Sequence, residues 1–311
     1  MSSRSGIIVT GASGFIGRAL VEHLVSSGRH VVAVARRDVG FTQAEVVVEP
    51  ADIAGNAELR RRLGECDCIV HLAARAHCAG PDSAFEPDVA LAASLARLAA
   101  TAGVRRFVHL SSIGVLGPST RGAAFTETST PAPREPYARS KLRAETAVRE
   151  ALDSGPTEWV MLRPPMVYGA GAPGNFARLA RAVERGWPLP FAGVQNRRQL
   201  VGIENLLDAL VLCMHHPAAS RKVFHVSDDE ALSTPELVRL VAHGLGVQPR
   251  LWPVPPALLE AAARALGMRR MAESLLRDLE IDTARIRAML GWRAPVSALE
   301  GIPRAAAASR T

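Results

Sequence analysis

The segment YARSK, residues 137–141, places a tyrosine and a lysine four positions apart in a chain with only two tyrosines and two lysines. On a helix, positions i and i+4 share a face. A phenol with its ordinary pKa of about 10 exchanges protons poorly at neutral pH. A nearby ammonium favours the phenolate and lowers that value. The spacing therefore predicts a helical pair in which Tyr137 is a general acid or base and Lys141 tunes it. A second stretch, TGASGFIG from Thr10 to Gly17, carries glycines at 11, 14 and 17 between a strand-like run and a helical pattern. Glycine lets backbone pass close to a pyrophosphate, and the following helix start offers free N–H groups and a positive dipole end. That context separates a dinucleotide loop from an ordinary glycine turn.

The elements that must position these residues are legible as alternating runs. GIIVTG, HVVAVA, AEVVVEP, DCIVHLA, RRFVHLSS and EWVMLRP read as strands. FIGRALVEHLVSSG, NAELRRRLG, DVALAASLARLAATAG and YARSKLRAETAVREAL read as helices between them. Apolar strands separated by helices imply a parallel sheet covered on both faces, with right-handed crossovers. The fold class is α/β, a Rossmann-like doubly wound parallel sheet with a smaller, mostly helical C-terminal substrate domain. Residues 1–166 are expected to form the dinucleotide-binding unit, with a return segment at about 201–226. Residues 167–200 and 227–311 are expected to form the substrate unit. RAAAASRT at the end reads as a loose tail.

Composition narrows the function. The chain has 311 residues, 48% hydrophobic and 22% charged, which suits a globular protein with a large core. No run of eighteen uncharged apolar residues predicts a membrane span, and no signal-peptide pattern precedes the first strand. The four cysteines, Cys66, Cys68, Cys78 and Cys213, form no CxxC pair. With His71 and His77 nearby, CDC suggests zinc, but Cys68 and His71 fall in a buried-strand pattern, so inert thiols and no metal are expected. A reduced, cytoplasmic setting follows. The net charge of +7 comes from scattered arginines with few aromatics, which argues against nucleic acid and suits phosphorylated small molecules.

The GxxGxxG loop together with YARSK resembles the short-chain dehydrogenase/reductase superfamily, in its extended branch of nucleotide-sugar epimerases, dehydratases and reductases. The resemblance covers nearly the whole chain: Asp52–Ile53, HLAA at 71–74, SSIGVLG at 111–117, RPPMVYG at 163–169 and LGW at 290–292 fall at the branch's landmarks. It implies a cofactor site made by Gly11, Ser13, Gly14, Phe15, Ile16, Gly17, Leu72, Ala73, Ala74 and Pro164, with Asp52 and Ile53 at the adenine. Tyr137 and Lys141 serve the same site, Lys141 through the nicotinamide ribose, and Ser112 orients the substrate oxygen. The position where an NAD site carries an acid is Ala35, followed by Arg36 and Arg37, which suits a 2′-phosphate and favours NADP(H) over NAD(H).

Dehydratases of the branch follow the serine with an Asp–Glu pair, but Ile113 and Gly114 stand here and carry no proton. A second departure is DVALA at Asp88–Ala92, where the branch has Asn-Val-x-Gly-Thr. Two reactions at the sugar C4 remain. Reduction of a UDP-4-keto-6-deoxy-N-acetylhexosamine, as in bacterial surface-polysaccharide synthesis, ranks slightly above 4-epimerisation of a UDP- or dTDP-sugar. Family alignment sets Asn175 and Arg198 at the nucleotide diphosphate, with Arg197 as a substitute and Arg277 as a further candidate. Tyr168 and Trp187 read as packing residues, and FTETSTPAPREP as a loop lining the site. A non-catalytic NADP-binding sensor is disfavoured by the presence of Ser112, Tyr137 and Lys141. A dehydrogenase of other small carbonyl compounds would not need Asn175 or Arg198. The branch also implies a homodimer through helices near 90–102 and 137–152.

Overall fold

The computed structural model describes residues 5–36, 40–41, 44–48, 56–76, 78 and 80–310. The elements follow in chain order as β1 (Gly6–Thr10), α1 (Phe15–Ser26), β2 (Val31–Ala35), β3 (Glu45–Val48), α2 (Ala57–Glu65), β4 (Cys66–His71), α3 (Glu86–Ala102), β5 (Arg106–Leu110), α4 (Pro136–Leu152) and β6 (Glu158–Arg163). Beyond these come β7 (Val167–Tyr168), α5 (Asn175–Glu184), β8 (Val201–Gly202), α6 (Ile203–His215), β9 (Lys222–His225), α7 (Thr234–Leu245), α8 (Pro256–Ala265), α9 (Arg269–Leu276), α10 (Ala284–Leu290) and α11 (Ala298–Ala307).

Seven strands form one sheet in the order β3-β2-β1-β4-β5-β6-β9, and every pairing is parallel. The order reverses between β1 and β4, the switch point where doubly wound sheets open a crevice above their carboxyl ends. Strands β1, β2 and β5 are buried on both faces, as their unbroken apolar runs require. On one face Ile7, Val9, Val70 and Val108 pack with Leu20, Leu24, Leu206 and Leu210 of α1 and α6. On the other, Ile8, Val32, Ile69 and Phe107 pack with Leu59, Leu95, Ala99 and Val148 of α2, α3 and α4. β9 lies beyond the glycine-rich loops yet pairs with β6, so the chain returns to the sheet after leaving it. A third apolar cluster joins Tyr168, Phe176, Val238, Val241, Ala298 and Ile302 away from the sheet.

Local signals explain the helix ends. Asn56 caps α2 by accepting from Leu59 N–H. Ser233 and Glu236 form a reciprocal capping box at α7. Gly103 and Gly246 end α3 and α7 in the left-handed conformation that a side chain would strain.

Candidate active site

Five contacts draw the predicted residues around the crevice. Lys141 Nζ donates to the carbonyl of Leu110, the last residue of β5, at 2.7 Å. It stands 5.9 Å from the centroid of the Tyr137 ring, one turn earlier on α4. Ser112 follows β5 by two residues, and a Cβ built on Gly114 would lie 3.3 Å from Ser112 Oγ and 3.6 Å from Ala138 Cβ. The serine and the start of α4 are therefore neighbours across Gly114. Ile113 N–H donates to Pro164 O at 2.9 Å, tying the serine turn to the loop after β6. At the far side, a Cβ on Gly11 would lie 2.7 Å from Ala73 N, so the glycine loop rests on the backbone following β4.

Each side chain is held by its element. Ser112 Oγ accepts from Gly114 N–H at 3.1 Å, which leaves its own proton to donate. Tyr137 is half-buried and meets the Phe85 ring edge-on at 6.3 Å. Tyr137, Lys141 and Glu145 succeed one another at four-residue spacing on the inward face of α4. Glu145 accepts two hydrogen bonds from Arg163, at 2.8 and 2.6 Å, in a pair that is buried on both sides. That fork fixes α4 against the end of β6.

The electrostatics differ from the sequence expectation at the central pair. Lys141 was expected to pull the Tyr137 phenol down. Burial and the Asp88 carboxylate instead push it above its ordinary range. The lysine itself is pushed down to about 8, because burial disfavours the ammonium more than Asp88 and Glu145 support it. Nζ is drawn to the Leu110 carbonyl, and the low dielectric penalises the charged form of both groups. At neutral pH the site thus holds a protonated phenol beside a weakly held ammonium. Asp88, part of the departure DVALA, is the functional neighbour that sequence reasoning missed. It accepts from Arg75 N–H at 2.9 Å and acts on both members of the pair. The signal available was an acid where the branch carries an amide.

Below the crevice floor lies a row of paired residues, Thr10, His71 and His109, on β1, β4 and β5. Thr10 Oγ1 and His71 Nδ1 are 2.7 Å apart, and the two imidazoles stack at 5.4 Å. Burial and the charge of Lys141 push both imidazoles well down, His71 to about 3, so the floor stays neutral.

Against this geometry, residues 7–227 match the NAD dependent epimerase/dehydratase family. The chain belongs to this family. It is 35% identical over 311 residues to a UDP-glucose 4-epimerase of Vibrio cholerae, covering 97% of this chain and 94% of that one. A dTDP-6-deoxy-L-talose 4-dehydrogenase (NAD(P)(+)) of Kitasatospora kifunensis is 29% identical over 267 residues, covering 80% and 82%. Among solved structures, a UDP-glucose 4-epimerase of Thermotoga maritima with UDP-glucose superimposes with a TM-score of 0.76 at 21% identity, covering 98% of both chains. The protein is accordingly an enzyme of the extended short-chain dehydrogenase/reductase class, in its nucleotide-sugar branch.

The glycine loop fits the dinucleotide such an enzyme uses. Ser13 and Gly14 are exposed at the start of α1, whose cap makes no side-chain hydrogen bond and whose first turn holds no acid. Its N–H groups and dipole are thereby left for an anion. A Cβ on Gly17 would sit 2.1 Å from Gly11 O, so only glycine lets α1 approach the loop this closely. Phe15 and Ile16 begin α1, and a Cβ on Gly169 would come within 3.0 Å of the Phe15 ring, joining the loop after β6 to the helix start. Leu72, Ala73 and Ala74 follow β4 and are partly exposed beside the loop. Arg36 is exposed just past β2. Arg37, Asp52 and Ile53 lie outside the described residues.

The two residues expected at the diphosphate are less alike. Asn175 is exposed at the first position of α5, and its Oδ1 accepts from Arg178 at 2.9 Å. Arg198 is turned to the C-terminal carbonyls of α9, donating to Arg277 O at 2.8 Å and Glu273 O at 3.4 Å. Burial pushes its guanidinium down to about 10. Arg197 pairs with Glu280 at 3.0 Å, and Arg277 with Glu260 at 3.0 Å. Tyr168 is buried and donates to Asp228 Oδ2 at 2.7 Å, whereas Trp187 is 55% exposed, so the packing role expected of it is not seen. No helix among the described residues is long and apolar enough to cross a membrane.

Proposed function

We propose that the enzyme reduces the C4 ketone of a UDP-4-keto-6-deoxy-hexose. The observation that carries this reading is Arg36, exposed just past β2 with Ala35 in the place of an acid, which suits an NADPH drawn fresh at each turnover; the Tyr137 phenol, protonated at neutral pH, is placed to give the proton that ketone reduction needs. In that reaction Tyr137 Oη transfers its proton to the C4 oxygen as the carbonyl becomes an alcohol. Ser112, with its donor free, hydrogen-bonds the same oxygen and orients it. Lys141 replenishes charge beside the phenol and holds the cofactor ribose. The glycine loop at residues 11–17 and Lys141 would hold the nicotinamide cofactor, which would supply the hydride when bound. Ile113 is buried in an apolar cluster with Leu279 and Ile281, and Gly114 rests against Ala138, so neither position brings a carboxyl for dehydration.

Arg36, exposed beyond β2 with no acid at Ala35, supports NADPH as the reductant. Asn175 and Arg198 are assigned to the diphosphate within a substrate unit of residues 167–200 and 227–311. A homodimer through the paired helices α3 and α4 completes the reading. The second reading is 4-epimerisation, supported by the likeness to the Vibrio cholerae enzyme. The two separate in one assay. With NADPH and UDP- or dTDP-4-keto-6-deoxy sugars, reduction consumes reduced nicotinamide stoichiometrically. With UDP-hexoses, epimerisation yields a C4 epimer and consumes none. Epimer formation without ketone reduction would replace the first reading by the second.

A further inference from the structure

The helical hairpin α8–α9 is built unlike the rest of the molecule. Neither helix has a fully buried residue. Seven large apolar side chains are exposed among the described residues, and five of them, Trp252, Leu258, Leu266, Met268 and Met271, lie within this hairpin and the segment entering it. Leu266 is 72% exposed and Trp252 61%. Every residue from Arg264 to Met271 is exposed, with Gly267 turning the chain at positive φ. In that tip, RALGMRRM, three arginines alternate with the apolar side chains and no acidic residue intervenes. Arg264 and Arg270 make only loose ion pairs, at 3.6 and 3.7 Å, and are 62% and 70% exposed.

We propose that this tip is a contact surface for an anionic lipid bilayer. Leucine and methionine enter the boundary between headgroups and acyl chains, arginine stems lie along it, and their guanidinium groups meet lipid phosphates. The charge excludes the simplest competitor. A symmetric contact between two copies would set arginines against arginines. The opposite edge of the hairpin faces the active site. Ser119 Oγ donates to Glu273 at 3.2 Å, Thr234 Oγ1 donates to Leu275 O at 2.6 Å, and Arg134, three residues before Tyr137, reaches the same Glu273 at 3.5 Å. Bilayer contact would therefore hold the catalytic crevice near the membrane surface, whatever sugar it accepts.

The test is sedimentation of the full chain with vesicles of phosphatidylcholine containing roughly one-third phosphatidylglycerol, against pure phosphatidylcholine. Binding is expected only to the anionic vesicles and is released by high salt. Arg264→Gln with Arg269→Gln should weaken it about twenty-five-fold, at about fivefold per arginine. Leu266→Asp with Met268→Asp should abolish it while leaving circular dichroism and melting temperature unchanged, since these positions are exposed. No sedimentation with anionic vesicles overturns the proposal. So does binding that ignores phosphatidylglycerol or survives both double variants, and so does self-association that depends on the hairpin in place of vesicle binding.

Discussion

Lys141 is charged at neutral pH yet only 5% exposed, and the fold carries that cost. The fall from 10.5 to about 8 amounts to somewhat over 3 kcal/mol, at about 1.36 kcal/mol per unit. Replacing Lys141 by methionine keeps the unbranched stem, removes the charge and loses the hydrogen bond to Leu110 O, which from a charged donor is worth about 1.5 kcal/mol. The variant is expected to be more stable than the parent by about 2 kcal/mol at pH 7. With about 2.1 cal/mol/K of unfolding entropy per residue, that raises Tm by roughly 3 °C in a chain of 311 residues.

The sign of the pH dependence follows from the direction of the shift. Below pH 8 the lysine is protonated in both folded and unfolded chains, and the whole cost is present. Between about 8 and 10.5 the unfolded chain binds more protons, so this lysine's contribution makes stability rise with pH. By about pH 9.5 only about 1 kcal/mol of the cost remains, nearly balanced by the lost hydrogen bond. Parent and variant should then melt within about 1 °C of each other. The thiols of Cys68 and Cys213, pushed up by burial, affect both proteins equally and cancel in the difference. Differential scanning calorimetry at the two pH values decides the matter. A variant that melts lower at pH 7, or a difference that does not change with pH, would refute the claim that a desolvated ammonium sits beside Tyr137. Turnover by the variant should be lost throughout.

Three further outcomes follow from the site. Tyr137→Phe keeps the ring against Phe85 and loses the proton, so turnover should fall about a thousandfold while nicotinamide fluorescence reports cofactor affinity within about twofold of the parent. Gly17→Ala forces a Cβ to within 2.1 Å of Gly11 O; it should destabilise the fold by about 3 kcal/mol or more and abolish cofactor binding in the same titration. Arg36→Ala should raise KM for NADPH about tenfold, the worth of one charge-assisted hydrogen bond, and leave KM for NADH unchanged; equal effects on both would remove the argument for NADPH.

How much of this was legible in advance depends on the range of the interaction concerned. Periodicity announced β1, α1, β4, β5 and α4, because alternation of strand and helix is written in neighbouring residues. The glycines at 11, 14 and 17 were readable because a close backbone approach admits no other residue. The spacing of Tyr137 and Lys141 was readable because a helix turn is local. Asp88 was not: its influence on the pair depends on α3 packing against α4, which brings together residues about fifty apart in sequence. The direction of the phenol shift was missed for the same reason, since desolvation is a property of everything that surrounds a group.

Sequence by itself determined which residues could do the chemistry and which helix would carry them, since residue type and local spacing suffice for both. Only the tertiary structure decided the directions in which the proton affinities of Tyr137 and Lys141 shift, that Arg198 reaches the carbonyls of α9, and that α8–α9 leaves its apolar side chains uncovered. Burial, charge neighbourhood and exposure are sums over atoms brought together from distant parts of the chain, and no window of sequence contains them.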